Sequence, residues 1–368
     1  MKKLTVLFIL SFLFLNGCGG QLYLEKTTIA LMLGIGTGEE ERYRVLQTSP
    51  VFKEEAEKKT RTFTVEASTL REARKKLDSK TDGNVVFGKM QVVLVTRDLL
   101  KNTDIYEQLD TLYRDPKNTV TAYMVCYNGD LSDLVNYNPP DIPRLATHIK
   151  RLVSTTRENE STVATTLEIF RRLYLDKVLT PFMAEIQFKD GDLKTMGIAL
   201  LNKDGRYVLS LNKHESSLIL ILRDDINYPV PLTLSIESSG EQKPGNISLD
   251  VIDLNRKVKT SHQDGSFSFD IQVKMDVNIT ESHLPFNTYK DKEKTEKLIQ
   301  QKMEEKLTGV LNKLRENELT PLGFGLQARA QHYKEFKKVE DRWQEVFKEA
   351  DINIDVEVEV QNNGTLSY

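Results

Sequence analysis

Apolar positions recur along this chain with two periods, and the alternation between those periods divides it into elements. "IALMLGIG", from Ile29, predicts a buried strand and "YRVLQTSPVF" a second. "RTFTVEA" continues the strand pattern with polar and β-branched residues. "STLREARKKLDSK" changes to the helical period, with Leu70, Ala73 and Leu77 on one face and Ser68 as the N-cap. "MQVVLVT" is apolar almost throughout, the pattern of a strand covered on both faces. "DIYEQLDTLYRD" predicts a helix, "TVTAYMVCY" a strand, and "GDLSDLVNY" a short helix that breaks at Pro139-Pro140. Two longer helices follow. "IPRLATHIKRLVSTT" places Pro143 in its first turn, where a missing N–H costs little. "STVATTLEIFRRLYLD" sets Val163, Leu167, Phe170 and Tyr174 on one stripe.

After Pro181 the texture changes to hairpins. "PFMAEIQF" and "LKTMGIALL" flank Lys189-Asp190-Gly191-Asp192, whose Asp-Gly pair supplies left-handed turn residues. Asn202 to Gly205 repeats the device before "RYVLSL". "SSLILILR" fits a strand or a short helix equally. "VPLTLSI", "NISLDVIDLNRKVKT" and "SFSFDIQVKMDVNIT" read as strands, the last long and half exposed, with Ser238 to Gly245 as a polar turn. Lys290 to Glu318 predicts a long helix with Leu298, Met303, Leu307, Val310, Leu311 and Leu314 on its apolar stripe. A further helix is expected from Lys334 to Ala350, with Phe336, Val339, Trp343 and Phe347 at helical spacing. The alternating strand "INIDVEVEVQ" closes the chain. No repeat of fixed period is present.

The first eighteen residues follow a different logic. Lys2 and Lys3 form a positive head, and Leu4 to Leu15 is apolar apart from Thr5 and Ser11. Twelve residues are too few for a bilayer-spanning helix, which needs roughly 20. A charged head, a short apolar core and small residues at its end make an export signal. The ending, Leu15-Asn16-Gly17-Cys18, resembles the bacterial lipoprotein box. That resemblance implies cleavage between Gly17 and Cys18, an S-diacylglyceryl group on Cys18, and room for an N-acyl chain there. One acyl chain binds a membrane marginally, whereas two hold a protein of this size for long periods.

Composition then narrows the function classes. Net charge is −3, and becomes −5 once Lys2 and Lys3 leave with the signal. Nucleic-acid binding needs clustered positive charge, so it is not expected. The longest later apolar runs, such as Leu218 to Leu222, are strand-sized. Cys18 and Cys126 are the only cysteines; with Cys18 acylated no intramolecular disulfide forms, and Cys126 in "TAYMVCY" reads as a core thiol. The sequons at Asn159, Asn246, Asn278 and Asn363 read as chance matches in an exported bacterial protein.

Catalytic patterns are missing. His148, His214, His262, His283 and His332 are far apart, and no pair has metal-ligand spacing. There is no GxSxG elbow. Gly34-Ile35-Gly36-Thr37-Gly38 follows a strand, yet it lacks the last glycine of a dinucleotide fingerprint. Acidic "EEER" stands where phosphate would sit, so it reads as a strand end and turn. Gly323 to Gly325 lacks the partners of a phosphate loop, and Asp224-Asp225 matches no calcium loop. No enzyme class, catalytic residue, metal site or cofactor is expected.

The order of the blocks carries a resemblance. "PLGFGLQARAQHYKEFKKVEDRWQEVFKEADINIDVEVEVQNNG" combines a GFG turn, a spacer, a helix with W-x₃-F and an alternating strand ending in Gly. "RTFTVEASTLREARKKL", "FGKMQVVLVTRDLL", "LDTLYRDP" and the helix pair stand upstream, and Gly197 to Leu222 lies between. In this order they resemble the Ger(x)C family, the C-subunit lipoproteins of spore germinant receptors, over nearly all of the mature chain. Many members carry a Trp-Asp-Arg-type stretch just after the lipid cysteine; this chain has Gly19-Gly20-Gln21. The resemblance implies an α+β fold of three mixed sheet-and-helix domains after a cleaved signal peptide at 1–17. The expected units are 18–180, 181–238 and 239–368. It also implies a non-enzymatic subunit, lipid-anchored to the outer face of the cell membrane and the spore inner membrane. Its partners would be polytopic A and B receptor subunits. The alternative is a lipid-anchored solute-binding protein of a transporter, although that class is built from repeated βαβ units, against the hairpins after residue 180.

Overall fold

The computed structural model describes residues 27–362 apart from 53, 54, 57, 136, 138, 140–143, 237–243 and 289. The signal segment, Gly17, Cys18, Pro143 and most of the turn expected at Ser238–Gly245 lie outside the described residues.

The chain opens with β1 (Thr27–Ile29), β2 (Met32–Thr37), β3 (Tyr43–Pro50) and β4 (Thr60–Ala67), then α1 (Leu70–Asp78) and β5 (Asn84–Val86). Next come β6 (Val92–Thr96), α2 (Arg97–Asn102), α3 (Ile105–Gln108), α4 (Asp110–Arg114) and β7 (Tyr123–Tyr127). Then follow α5 (Leu131–Val135), α6 (Leu145–Glu158), α7 (Leu167–Leu175), β8 (Phe182–Lys189), β9 (Asp192–Leu201) and β10 (Tyr207–Asn212). These elements build an eight-stranded sheet in the order β10-β9-β8-β7-β6-β2-β3-β4, while β1 and β5 pair separately. Its four central strands, β2, β6, β7 and β8, are mutually parallel, and the flanking strands are antiparallel. Parallel strands need crossovers, and the intervening helices supply them on both faces. Side chains of α1 to α4 and α7 cover one face, and those of α5 and α6 the other. β6 is accordingly buried along its whole length, as its apolar run predicts. The change to hairpins at residue 181 is a change of pairing direction inside one sheet, since β8 pairs with β7 on one side and β9 on the other.

The second half adds α8 (Lys213–Arg223), β11 (Val230–Ile236), β12 (Gly245–Gln263), β13 (Ser266–Ser282) and α9 (Lys292–Glu316). It ends with α10 (Phe324–Gln331), α11 (Tyr333–Lys337), a 3₁₀ turn at Glu340–Arg342, α12 (Trp343–Glu349) and β14 (Asp351–Asn362). Here β11-β12-β13-β14 form a four-stranded sheet whose last pair is parallel. "SSLILILR" is helical because Asn212 and Glu215 close a reciprocal capping box ahead of it. Residues Ser216 to Leu222 of α8 are all buried, the mark of a helix enclosed on every side. One apolar core runs from α7 and β9 through α8 to the four-stranded sheet and α9.

Several local expectations are corrected. Thr69, not Ser68, caps α1: its hydroxyl accepts from Glu72 N–H at 3.1 Å, while Ser68 N–H donates to the Glu72 carboxylate. The helix expected over Asp104–Asp115 is two, α3 and α4, meeting at Leu109. Val163 is buried but precedes α7, which starts after its cap Thr166. On α9 the buried residue is Ile299, not Leu298. The helix expected at Lys334–Ala350 is broken into α11, the 3₁₀ turn and α12. The GFG segment opens a helix of its own, α10. The Gly34–Gly38 stretch is a strand end and turn, as expected: β2 carries Gly34 and Gly36 and stops at Thr37, and Gly38 opens the turn. A β-carbon on Gly36 would stand 3.1 Å from Leu131 Cδ1, so the missing side chain lets α5 pack close to the strand.

Sheet edges are plugged by side chains. Lys76 of α1 and Lys80, just past its end, donate to the Glu66 and Thr64 carbonyls on β4. Glu304 and Glu296 of α9 accept from Val356 and Val360 N–H on β14. Such groups would otherwise template pairing with another chain.

Candidate functional site

The carboxyl ends of parallel strands are where open α/β sheets take ligands, and β2, β6 and β7 end together here. They border a crevice of about 360 Å³ lined by Thr37, Arg44, Arg97, Asp98, Asn128 and Asp130, with Lys101 at its mouth. The lining follows from how each strand stops. Thr96 ends β6 and caps α2, accepting from Leu99 N–H at 3.4 Å, which turns Arg97, Asp98 and Lys101 outward. β7 runs into Asn128-Gly129-Asp130, where the Asp130 carboxylate accepts from Ser132 N–H at 2.8 Å. Thr37 hydroxyl donates to Asp98 at 3.4 Å across the mouth.

The charges are largely matched. Arg44 lies 2.6 Å from Glu39, 3.2 Å from Glu66 and 3.7 Å from Asp130. Those carboxylates, Glu39 foremost, raise its pKa. Glu66 accepts from the main-chain N–H groups of Glu39, Glu40 and Glu41 at 3.2, 2.9 and 3.2 Å. The amides of Glu40 and Glu39, then Glu41 and Arg44, bring its pKa down to about 2. The acidic run that argued against phosphate is thereby folded into a turn around one carboxylate. Asp130 is lowered by hydrogen bonds from Ser132 and by Arg44. Beside the crevice, Arg97 pairs with Glu185 at 3.3 Å, with Glu185 almost fully buried, and stands over the Tyr207 ring.

This arrangement sets ordered polar groups around the crevice. None of the histidines lines the crevice. Cys126, on the neighbouring stretch of β7, is fully buried, and burial, with Glu185 adding to it, holds its pKa well above the usual thiol range. Among the described residues no group of three His, Cys, Asp or Glu side chains is placed to hold a metal ion. His262 and His332, distant in sequence, both pack against Phe267, and His332 also reaches the Thr260 carbonyl at 3.1 Å. The other three stand apart on α6, α8 and beyond β13. Sequence reasoning passed over Arg97 and Glu185. Their signals are a charge just past the apolar run of β6 and the one acidic residue in "PFMAEIQF". No helix among the described residues is long and apolar enough to cross a membrane.

Comparison with known proteins covers both halves. Residues 20–188 match the family profile described as the spore germination protein N-terminal domain. Residues 196–364 match that of the spore germination B3/GerAC-like C-terminal region. The join falls in the β8–β9 hairpin. A spore germination protein of Bacillus cereus, GerQC, is 20% identical over 366 residues, covering 98% of this chain and 99% of that one. Spore germination protein B3 of Bacillus subtilis is 22% identical over 377 residues, covering 99% and 98%. The crystal structure of the GerBC protein superposes with a TM-score of 0.57 at 17% identity, over 90% of this chain and 97% of that one.

Proposed function

Since the chain belongs to the spore germination B3/GerAC-like family, we propose that it is the lipid-anchored C subunit of a nutrient germinant receptor, required for the germination response and without catalysis of its own. The observation that carries this reading is the pair of profile matches that together run from residue 20 to 364. The mature chain begins at Cys18, whose S-diacylglyceryl group and N-acyl chain hold it on the outer face of the cell membrane and, in the spore, of the inner membrane. With two or more acyl chains such an anchor is long-lived. Its partners are polytopic A and B subunits in the same membrane.

A crevice of matched charges and a buried, inert thiol suit a binding and scaffolding role. Deleting the gene tests this. Sporulation should proceed normally, while germination in response to particular nutrients slows or stops. Unchanged germination in a strain that also lacks paralogous receptors overturns the reading.

A further inference from the structure

A cleft separates α1 from α4 and reaches down to the large sheet. Its volume is about 440 Å³, inside the span of about 300–1,000 Å³ usual for small-molecule sites. The floor is apolar and nearly closed to solvent, none of its residues more than 4% exposed: Leu33 and Val45 come from the sheet, Leu77 from α1, Leu112 from α4, and Phe87 from just beyond β5. Three guanidinium groups stand at the rim, those of Arg71, Arg74 and Arg114.

Two of the three are committed. Arg74 pairs with Asp115 at 3.2 Å, donates to the Val85 carbonyl at 3.2 Å, and lies over the Phe87 ring at 5.4 Å. Arg114 pairs with Asp110 at 2.5 Å. Asp115 is kept below the usual carboxylate range, first by Lys117 N–H and then by Arg74, so that pair stays ionised at neutral pH. Arg71 is exposed and makes no hydrogen bond or ion pair among the described residues. The cleft therefore combines an apolar interior with one surplus cation at its mouth.

We infer that this cleft binds a molecule with an apolar body ending in an anionic group, carboxylate or phosphate, the body entering between α1 and α4 toward Leu77, Phe87 and Leu112 and the head at Arg71. A polar solute would gain nothing from that interior, and an ammonium head would meet the unpaired guanidinium. A planar guanidinium receives either anion through two parallel N–H bonds. The inference is independent of the receptor reading, because it rests only on the cleft.

The test uses the full chain in its native membrane. Photoreactive decanoate, with a diazirine at the end of its chain, is crosslinked and the adducts are located by mass spectrometry. A parallel arm uses a phosphatidic acid carrying the same group, which separates a free carboxylate from a phospholipid as the source. Adducts should fall on residues 70–77 and 110–116 with at least one probe. Decanoate should compete for that site and decanol should not. Arg71→Glu should lower the yield at least about fivefold, the effect of one charge-assisted contact. Thr111→Trp, at an exposed lining position on α4, should block the mouth and lower it too. Thermal melts of both variants should match the parent, since both positions are exposed. Adducts absent from these segments with both probes, yields unchanged in Arg71→Glu, or equal competition by decanol would each overturn the inference.

Discussion

Gly325 lies against the indole of Trp343: a β-carbon at residue 325 would fall 2.7 Å from Trp343 Nε1 and 2.5 Å from Val178 Cβ. Trp343 is fully buried, with Phe267, Phe269 and Phe336 around its ring at centroid distances of 5.5, 6.4 and 5.5 Å. The middle residue of the GFG segment, Phe324, stacks on Phe269 at 5.1 Å. The glycine and the tryptophan of the C-terminal block are thus two sides of one contact. Gly325→Ala should cost about 1–3 kcal/mol through overpacking. Gly309, exposed in α9, has nothing within 4 Å of such a β-carbon, so Gly309→Ala should stabilise by up to about 1 kcal/mol. Urea denaturation of the two variants should show opposite signs; equal shifts would refute the contact.

Glu160 joins the two halves. Its carboxylate is fully buried, pairs with Arg157, and accepts from the main-chain and side-chain N–H groups of Asn227 at 2.8 and 3.0 Å. Its carbonyl accepts from Ser217 hydroxyl in α8 at 2.7 Å. Glu160→Ala would leave the two Asn227 N–H donors without their acceptor, while Arg157 keeps Asp225 at 2.9 Å, a loss of about 1–3 kcal/mol. Equilibrium unfolding measures it, and a change below 1 kcal/mol would contradict the role given to this residue.

Acid should reveal Glu66. Its folded pKa is about 2, against 4.5 for the free carboxylate. Its contribution is fully present above pH 4.5 and is lost as pH falls toward 2. Glu66→Gln should be less stable than the parent at pH 7, with the difference shrinking over that window. A difference independent of pH would remove the assignment.

Cys126 should be silent. The thiol is buried and its pKa is raised, so a thiol reagent should leave the native mature protein unlabelled and mark one site after denaturation. Rapid labelling of Cys126 in the native protein would contradict its placement.

Much of the fold was legible because burial writes a period into the sequence. β6, buried throughout, and β13, alternating from Phe267 to Ile279, appear as their patterns predict. Phase was harder. Ile299 and Met303 are four apart and share a face of α9, whereas Leu298 and Met303 are five apart and do not. Breaks at Leu109 and across Val339–Arg342 depend on tertiary packing that apolar spacing does not encode. The crevice was least legible. Its residues come from three segments, and parallel pairing of β2, β6 and β7 brings them together. Cys18 is the reverse case, assigned from a local motif and lying outside the described residues.

The most direct measurement is germination of spores whose only receptor of this kind carries Cys18→Ala. The expected result is a nutrient response as slow as in the deletion, with the chain unprocessed or absent from the inner membrane. Germination at the parental rate, with the Cys18→Ala chain processed and held in that membrane, would contradict the account of a lipid-anchored receptor subunit.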